Sequence, residues 1–337
     1  MTPVDRLTPT VRAAMSPAAF SLLFDEPRLA RLHTLARVPD PLLIDPGASV
    51  SLVDTEVLFT SWGAPRLDAT MLDRMPRLRA VLHAAGSVHG VVSDDLWERG
   101  ILVTSAADAN AVPVAEFTFA AVIMAFKRAF THVQQHTPEK GEWGRLFSEP
   151  HYGSLGRTVG VVGFSRIGRR VVSMLQQLDD IEVLVADPMV SPERVAAAGA
   201  TLVPLDEMLP RVDVLSLHAP ALASTYRMIG AAELGALRAG ATLINTARGA
   251  LVDHDALLTE CRSGRLDAIL DVTDPEPLPA DSEFHRLPNV AVTPHVAGSM
   301  GSEVRRLADS ALDDLAHLGA GARPRQVIAR SDMELSA

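Results

Sequence analysis

The sequence predicts an α/β protein whose larger part is a doubly wound parallel sheet, with a smaller α/β unit ahead of it. Three observations carry that expectation. First, a β-branched run at 158–162 passes through Gly163-Phe-Ser-Arg-Ile-Gly168 into helix-spaced Ile167, Val171, Val172 and Leu175, and a second apolar run, 181–186, ends at Asp187. Strands buried on both faces are apolar throughout, and the 3.6 spacing marks an amphipathic helix, so this reads as strand, tight turn, helix, strand. Second, the alternation continues with strands at 214–217, 242–245, 268–270 and 290–292 and helices at 195–198, 209–212, 231–237 and 255–262. Such alternation builds a parallel sheet. Third, a shorter alternation fills the first hundred residues, and 337 residues is the length of about two domains.

In chain order, β-like runs at 57–61, 79–84 and 101–105 alternate with helix-compatible segments at 28–37, 68–75 and 94–99; the first fifty residues otherwise show no element that can be placed. Trp62-Gly63 ends one strand, where the ring suits either a substrate pocket or the core. Ala84-Ala85-Gly86-Ser87 follows another, at the carboxyl edge of a parallel sheet, where free amides meet ligands. Asn110-Ala-Val-Pro113-Val-Ala-Glu116 opens a long helix with Pro113 in its first turn, and nearly every face of it is apolar. A helix apolar all round packs between domains or subunits, so a homodimer built on 114–128 and the polar excursion at 131–154, with Gly141, Trp143, Gly144 and Gly153, is expected. His132 and His136 share a helical face there, without a third metal ligand. An amphipathic helix at 303–318 closes the chain before a polar tail.

Composition narrows the function classes. A net charge of −10 with acids and bases intermixed argues against nucleic acid or an anionic membrane as partner. The single Cys261 excludes an internal disulfide and a cysteine metal cluster, and suits an inert core position. The N-terminus lacks a signal-peptide pattern, and the most apolar helical run, 117–126, is about half of the ~20 residues a bilayer needs, so a cytoplasmic location is expected.

The glycine turn is a dinucleotide fingerprint. Free N–H groups at the positive end of the helix that follows the turn match a pyrophosphate, so Gly163, Ser165, Arg166, Ile167 and Gly168 are candidate cofactor contacts. Ser165 stands where the middle glycine of the motif allows backbone to approach phosphate, and fits with its hydroxyl turned toward the phosphate. Asp187 lies at the ~20-residue distance where a carboxylate meets the ribose hydroxyls, which points to NAD rather than NADP. The later strands each end in a polar or small cluster at the same edge, His218-Ala219-Pro220, Thr246-Ala247-Arg248, Asp271 and Thr293-Pro-His295, so His218, Ala219, Pro220, Thr246, Ala247, Arg248, Asp271 and His295 are further candidate cofactor contacts. Among these, Arg248 offers a planar fork for a carboxylate beside a carbonyl. His295 can give or take a hydroxyl proton, with Glu276 holding its other ring nitrogen and favouring the imidazolium. Each alone is commonly a structural or surface residue; their shared placement beyond a dinucleotide turn is what points to chemistry.

Five ordered motifs, Gly160-Val-Val-Gly163-Phe-Ser-Arg-Ile-Gly168, Leu217-His-Ala-Pro220, Leu243-Ile-Asn-Thr-Ala-Arg248-Gly249, Asp271-Val-Thr-Asp-Pro-Glu276-Pro277 and Thr293-Pro-His295-Val-Ala-Gly298, resemble those of the D-isomer-specific 2-hydroxyacid dehydrogenases. The helix start 110–116 resembles the one that precedes them. The resemblance runs from about Ala84 to Gly319 and implies a Rossmann cofactor domain inserted into a smaller flavodoxin-like substrate domain: residues 1–107 and 297–337 around 108–296. It implies NAD as cofactor, a 2-keto acid and a D-2-hydroxy acid as substrate pair, and a homodimer. Arg248 then anchors substrate, His295 is the acid/base, Glu276 is its partner, Ala85, Gly86 and Ser87 are further substrate contacts, and Gly298 joins the cofactor contacts. The alternative on the same fold is a protein that senses NADH without turnover.

Overall fold

The structure is a computed structural model and describes residues 8–44, 50–135 and 152–333. The chain divides into two compact units, Met1–Asn110 with Ser299–Ala337, and Ala111–Gly298.

In the first unit, strands β1 (Val11–Ala14), β2 (Val57–Thr60), β3 (Ala80–His83) and β4 (Leu102–Ser105) lie side by side and parallel. Arg37 and Leu43 form parallel bridges with Thr10 and Ala13 on the outer side of β1, so the sheet begins as a flavodoxin-type order does. The strands are buried on both faces. Phe59 and Leu82 pack under Val304, Leu307, Ala311 and Leu315 of the helix Val304–Gly319, while Leu58 and Val81 face Ile44, Leu52 and Leu67. That two-sided burial makes the runs uniformly apolar and legible as parallel strands. β1 escaped the sequence reading because four residues including Arg12 carry no clear period.

The second unit holds β5 (Arg157–Val162), β6 (Ile181–Ala186), β7 (Thr201–Leu202), β8 (Val214–Leu217), β9 (Thr242–Asn245), β10 (Asp267–Leu270) and β11 (Val290–Val292), all parallel, in the spatial order β11-β10-β9-β8-β5-β6-β7. The direction of winding reverses between β5 and β8, and in such sheets ligands bind in the crevice at the carboxyl ends there. The chain returns to the first unit, where β12 (Val327–Ile328) pairs antiparallel with β4.

The structure corrects several expectations. The short helix expected at 209–212 is Leu205–Met208, set by Pro204 at its N-cap; Leu209 and Val212 are core residues of the following turn. The long helix runs from Ala107 to Phe126, because the Ser105 hydroxyl accepts from the Ala107 amide and starts the helix early. Pro113 therefore lies inside it rather than in its first turn, removing one internal hydrogen bond. At 20 residues this helix has the length and composition to cross a bilayer, contrary to the estimate from 117–126, but half of its apolar window is buried, with Ala115, Val122 and Phe126 packed against Val159, Val161 and Val183. His132 Nε2 meets the Tyr152 hydroxyl at 2.7 Å. His136, Gly141, Trp143 and Gly144 lie outside the described residues.

Two buried histidines contribute to the expected loss of stability in acid. Burial pushes His83 down to about 4 and His218 down to about 3, so both rings are neutral in the fold. In the unfolded chain they titrate near the ordinary histidine value, so their contribution is complete above roughly pH 6.5 and is lost as pH falls toward the folded values. The expected loss is roughly 2 kcal/mol for each ring by about pH 5. Thermal melts from pH 7.5 downward check this, with a His218→Leu chain showing a shallower decline.

Candidate active site

The turn after β5 has little tolerance for side chains. At Gly163 φ is +93°, and a Cβ would lie 2.7 Å from the Ala219 amide nitrogen and 2.8 Å from the His218 carbonyl oxygen. At Gly168 a Cβ would lie 2.0 Å from the Gly163 carbonyl. These two glycines thus let the ends of β5 and β8 and the helix Arg166–Leu175 converge. Ser165 at the middle position has φ −68°, which needs no glycine, and its hydroxyl N-caps the helix by accepting from the Gly168 amide at 3.3 Å. The hydroxyl serves there as acceptor, and its own hydrogen remains available to a phosphate. Among the described residues the amides of Ser165, Arg166 and Ile167 donate to no protein acceptor, which is the donor set an incoming pyrophosphate requires.

Asp187, half-buried after β6, accepts from the Phe164 amide at 2.7 Å with one oxygen and from the Met189 amide at 2.8 Å with the other. Each oxygen keeps a lone pair for a ribose hydroxyl. His218 lies with its ring in the core, Nε2 at 2.9 Å from the Ser216 hydroxyl, so the edge sees main chain at 218–220. The residues present therefore fit a dinucleotide: glycine clearance, free helix-end amides and a carboxylate at the second strand.

The polar set at the ends of β9, β10 and β11 is assembled by three hydrogen-bonded loops. Asn245 builds the first, its amide donating to the Arg248 carbonyl at 2.9 Å and its oxygen accepting from the Ala247 amide at 3.0 Å. Thr246 is tied to Thr118 of the long helix, hydroxyl to hydroxyl, at 2.8 Å. Arg248 is half-buried; burial pushes its guanidinium below its ordinary value, and the neighbouring Glu276 carboxylate opposes that shift. Glu276 Oε1 lies 2.6 Å from His295 Nδ1, with both side chains exposed, so Glu276 links arginine and histidine into one cluster. A carboxylate at Nδ1 fixes that nitrogen as the donor and leaves Nε2 to exchange a proton.

His295 has φ +56°, a left-handed conformation that a side chain other than glycine adopts only when its surroundings impose it. Asp271 imposes it. Its carbonyl accepts from the His295 amide, and its buried carboxylate accepts from the Thr293 hydroxyl at 2.6 Å and the Val296 and Ala297 amides at 2.8 and 2.9 Å. The carboxylate of Asp271 is thus bound to the loop that carries His295 and leads to Gly298. Sequence reasoning gave no role to Asn245 and Thr293, although both stand in the strand-end motifs, nor to Thr118, a polar residue inside the apolar long helix.

Ala85, Gly86 and Ser87 belong to the first unit. There the carbonyls of Ala84 and Ala85 are taken by the Ser61 hydroxyl and the Ala106 amide, both at 3.0 Å. Among the described residues the amides of 85–88 have no protein acceptor, a row of donors suited to an anion. Trp62 is 45% exposed, which removes the core alternative for it. Asn110 accepts from the Ser299 amide at 3.0 Å, fastening the outgoing chain to the returning one.

An NAD(H)-binding Rossmann sheet with an arginine–carboxylate–histidine cluster at its edge defines a nicotinamide-dependent oxidoreductase. Residues 120–297 match the D-isomer specific 2-hydroxyacid dehydrogenase NAD binding domain. The chain is 31% identical over 267 residues to a glyoxylate reductase of Korarchaeum cryptofilum, covering 78% of this chain and 79% of that one. It is 34% identical over 302 residues to a D-3-phosphoglycerate dehydrogenase of Mycobacterium tuberculosis, covering 88% of this chain but only 52% of that longer protein. Among solved structures, a phosphoglycerate oxidoreductase from Rhizobium etli superposes with a TM-score of 0.77 at 26% identity over 96% of this chain and 99% of that one. The D-mandelate dehydrogenase of Rhodotorula graminis, with a TM-score of 0.79 at 20% identity over 96% and 98%, shares the fold. The chain belongs to the D-isomer specific 2-hydroxyacid dehydrogenases, NAD-dependent enzymes.

Proposed function

We propose that the protein interconverts a 2-keto acid and a D-2-hydroxy acid, with His295 as acid/base, Glu276 as its partner and Arg248 as substrate anchor. The 2.6 Å contact of Glu276 with His295 Nδ1, beside Arg248, is the observation that carries this reading. NADH, when bound, supplies a hydride to the carbonyl carbon. His295 Nε2 gives the proton that the carbonyl oxygen takes up, so ketone, hydride and proton balance to the alcohol. Arg248, held in place through Asn245, offers paired N–H donors to the carboxylate and the adjacent carbonyl, favouring the charge that develops on that oxygen. The free amides of 85–87, in the first unit, are proposed as substrate contacts in their own right. Gly163, Ser165, Arg166, Ile167, Gly168 and Asp187, with the strand-end main chain at 218–220, 246–248 and 298, are the contacts proposed for NAD(H).

Asp187 sets the choice of nicotinamide cofactor. Its carboxylate accepts from ribose hydroxyls and repels a 2′-phosphate, and the next cation in sequence is Arg194. NADH is the expected substrate over NADPH, and Asp187→Ala narrows that preference by weakening the first and relieving the second. Measuring kcat/KM for both cofactors checks this; equal values in the unmodified protein contradict it.

We also propose a homodimer formed on the long helix. Ile123 and Met124 on it, with Val133 and Leu155 beyond it, are exposed apolar side chains. Sedimentation at micromolar concentration is expected to give twice the chain mass; a monomer contradicts this.

A further inference from the structure

We propose that His83 is a positioning residue for the substrate, holding the loop 84–87 so that its row of amides keeps the shape an anion needs; this rests on the reading of that loop as a substrate contact. β3 is otherwise Ala80, Val81 and Leu82, so an imidazole 3% exposed at its last position is the polar exception in an apolar strand. Its Nδ1 lies 2.9 Å from the hydroxyl of Thr60, the residue in register with it on β2 and itself fully buried. The main chain of Ser87 is the ring's other hydrogen-bonding contact.

The protonation pattern follows from these partners. A threonine hydroxyl that donates to Nδ1 leaves the hydrogen on Nε2, and the Ser87 carbonyl is an acceptor for it. Burial pushes the ring down to about 4, so it is neutral and this arrangement holds near neutral pH. The start of the loop is fixed independently. The Ala84 amide donates to the Thr60 carbonyl at 2.8 Å, and the Ala84 and Ala85 carbonyls accept from Ser61 and Ala106. The carbonyls of 84, 85 and 87 are thus drawn into the fold, and the amides of 85–88 are left to an outside acceptor. His83 secures the far end of that row. A leucine fills the same space but offers Ser87 no donor.

The test compares His83→Leu and His83→Gln with the unmodified chain by keto-acid kinetics, NADH titration and hydrogen exchange of the peptide spanning 84–88. His83→Leu is expected to fold and bind NADH normally, to raise KM for the keto acid about tenfold with a smaller change in kcat, and to exchange the loop amides faster. His83→Gln, whose side-chain amide can donate toward Ser87, is expected to recover much of both effects, which packing alone does not explain. If His83→Leu does not fold, Thr60→Val removes the hydroxyl that orients the ring and must move KM and loop exchange in the same direction. Unchanged KM and unchanged exchange in a folded variant overturn the proposal. If the unmodified protein reduces no 2-keto acid, the reading of the loop has failed, and the exchange data alone decide whether His83 holds it.

Discussion

Replacing His295 with alanine is expected to lower turnover by about three orders of magnitude in both directions while leaving NADH affinity unchanged. The imidazole sits in a left-handed loop fixed by Asp271 and is held at Nδ1 by Glu276, so its removal deletes the proton donor without disturbing the glycine turn. The same assignment gives the wild-type enzyme a directional pH response. Reduction draws on the imidazolium and oxidation on the neutral ring, so reduction slows and oxidation quickens as the medium becomes more basic. Steady-state rates in both directions across pH test this, and near-normal rates in the alanine variant contradict the mechanism.

Arg248→Ala is expected to lower kcat/KM by about 10³-fold, because two charge-assisted hydrogen bonds to the substrate are lost together. Part of the loss is expected in KM and part in kcat, since in the proposed role the guanidinium serves both the carboxylate and the carbonyl oxygen that gains charge. Arg248→Lys restores the charge but not the planar fork, so it is expected to recover only a minor share. A melting temperature close to wild type is expected for both, since Arg248 is half-buried and its side-chain hydrogen bond, at 2.6 Å, goes to the Ala247 carbonyl beside it. Lysine at wild-type efficiency would show that charge alone is read at this position.

The larger sheet was legible because its strands are buried on both faces and its glycines are required by contact: at Gly163 and Gly168 a side chain has no room. The cluster at its edge was legible because Arg248, Glu276 and His295 follow strands directly, where chain order already implies a shared edge. What supports the cluster was not. Asp271 was read as a cofactor contact, and that its carboxylate also grips the His295 loop is a relation between two loops that no spacing in one sequence reveals. β7 and β12, of two residues each, were too short to show a pattern, and β1 was interrupted by Arg12. Pro113 misled the helix start because the Ser105 cap that begins it earlier is a local hydrogen bond, and proline marks a first turn only as a tendency. His83 drew no attention in the sequence, where one histidine after an apolar strand looks like any other; its contacts with Thr60 and Ser87 appear only in the fold.

Consumption of NADH by the unmodified protein over a panel of 2-keto acids, with the configuration of the product determined, tests the central assignment most directly. The proposed roles of Arg248, Glu276 and His295 predict that at least one keto acid is reduced at a rate typical of enzymes, and membership of the D-isomer specific family predicts the D-hydroxy acid as product. NADH that binds tightly but is consumed with no keto acid in the panel would contradict it and favour a protein that senses the cofactor without turning over a substrate.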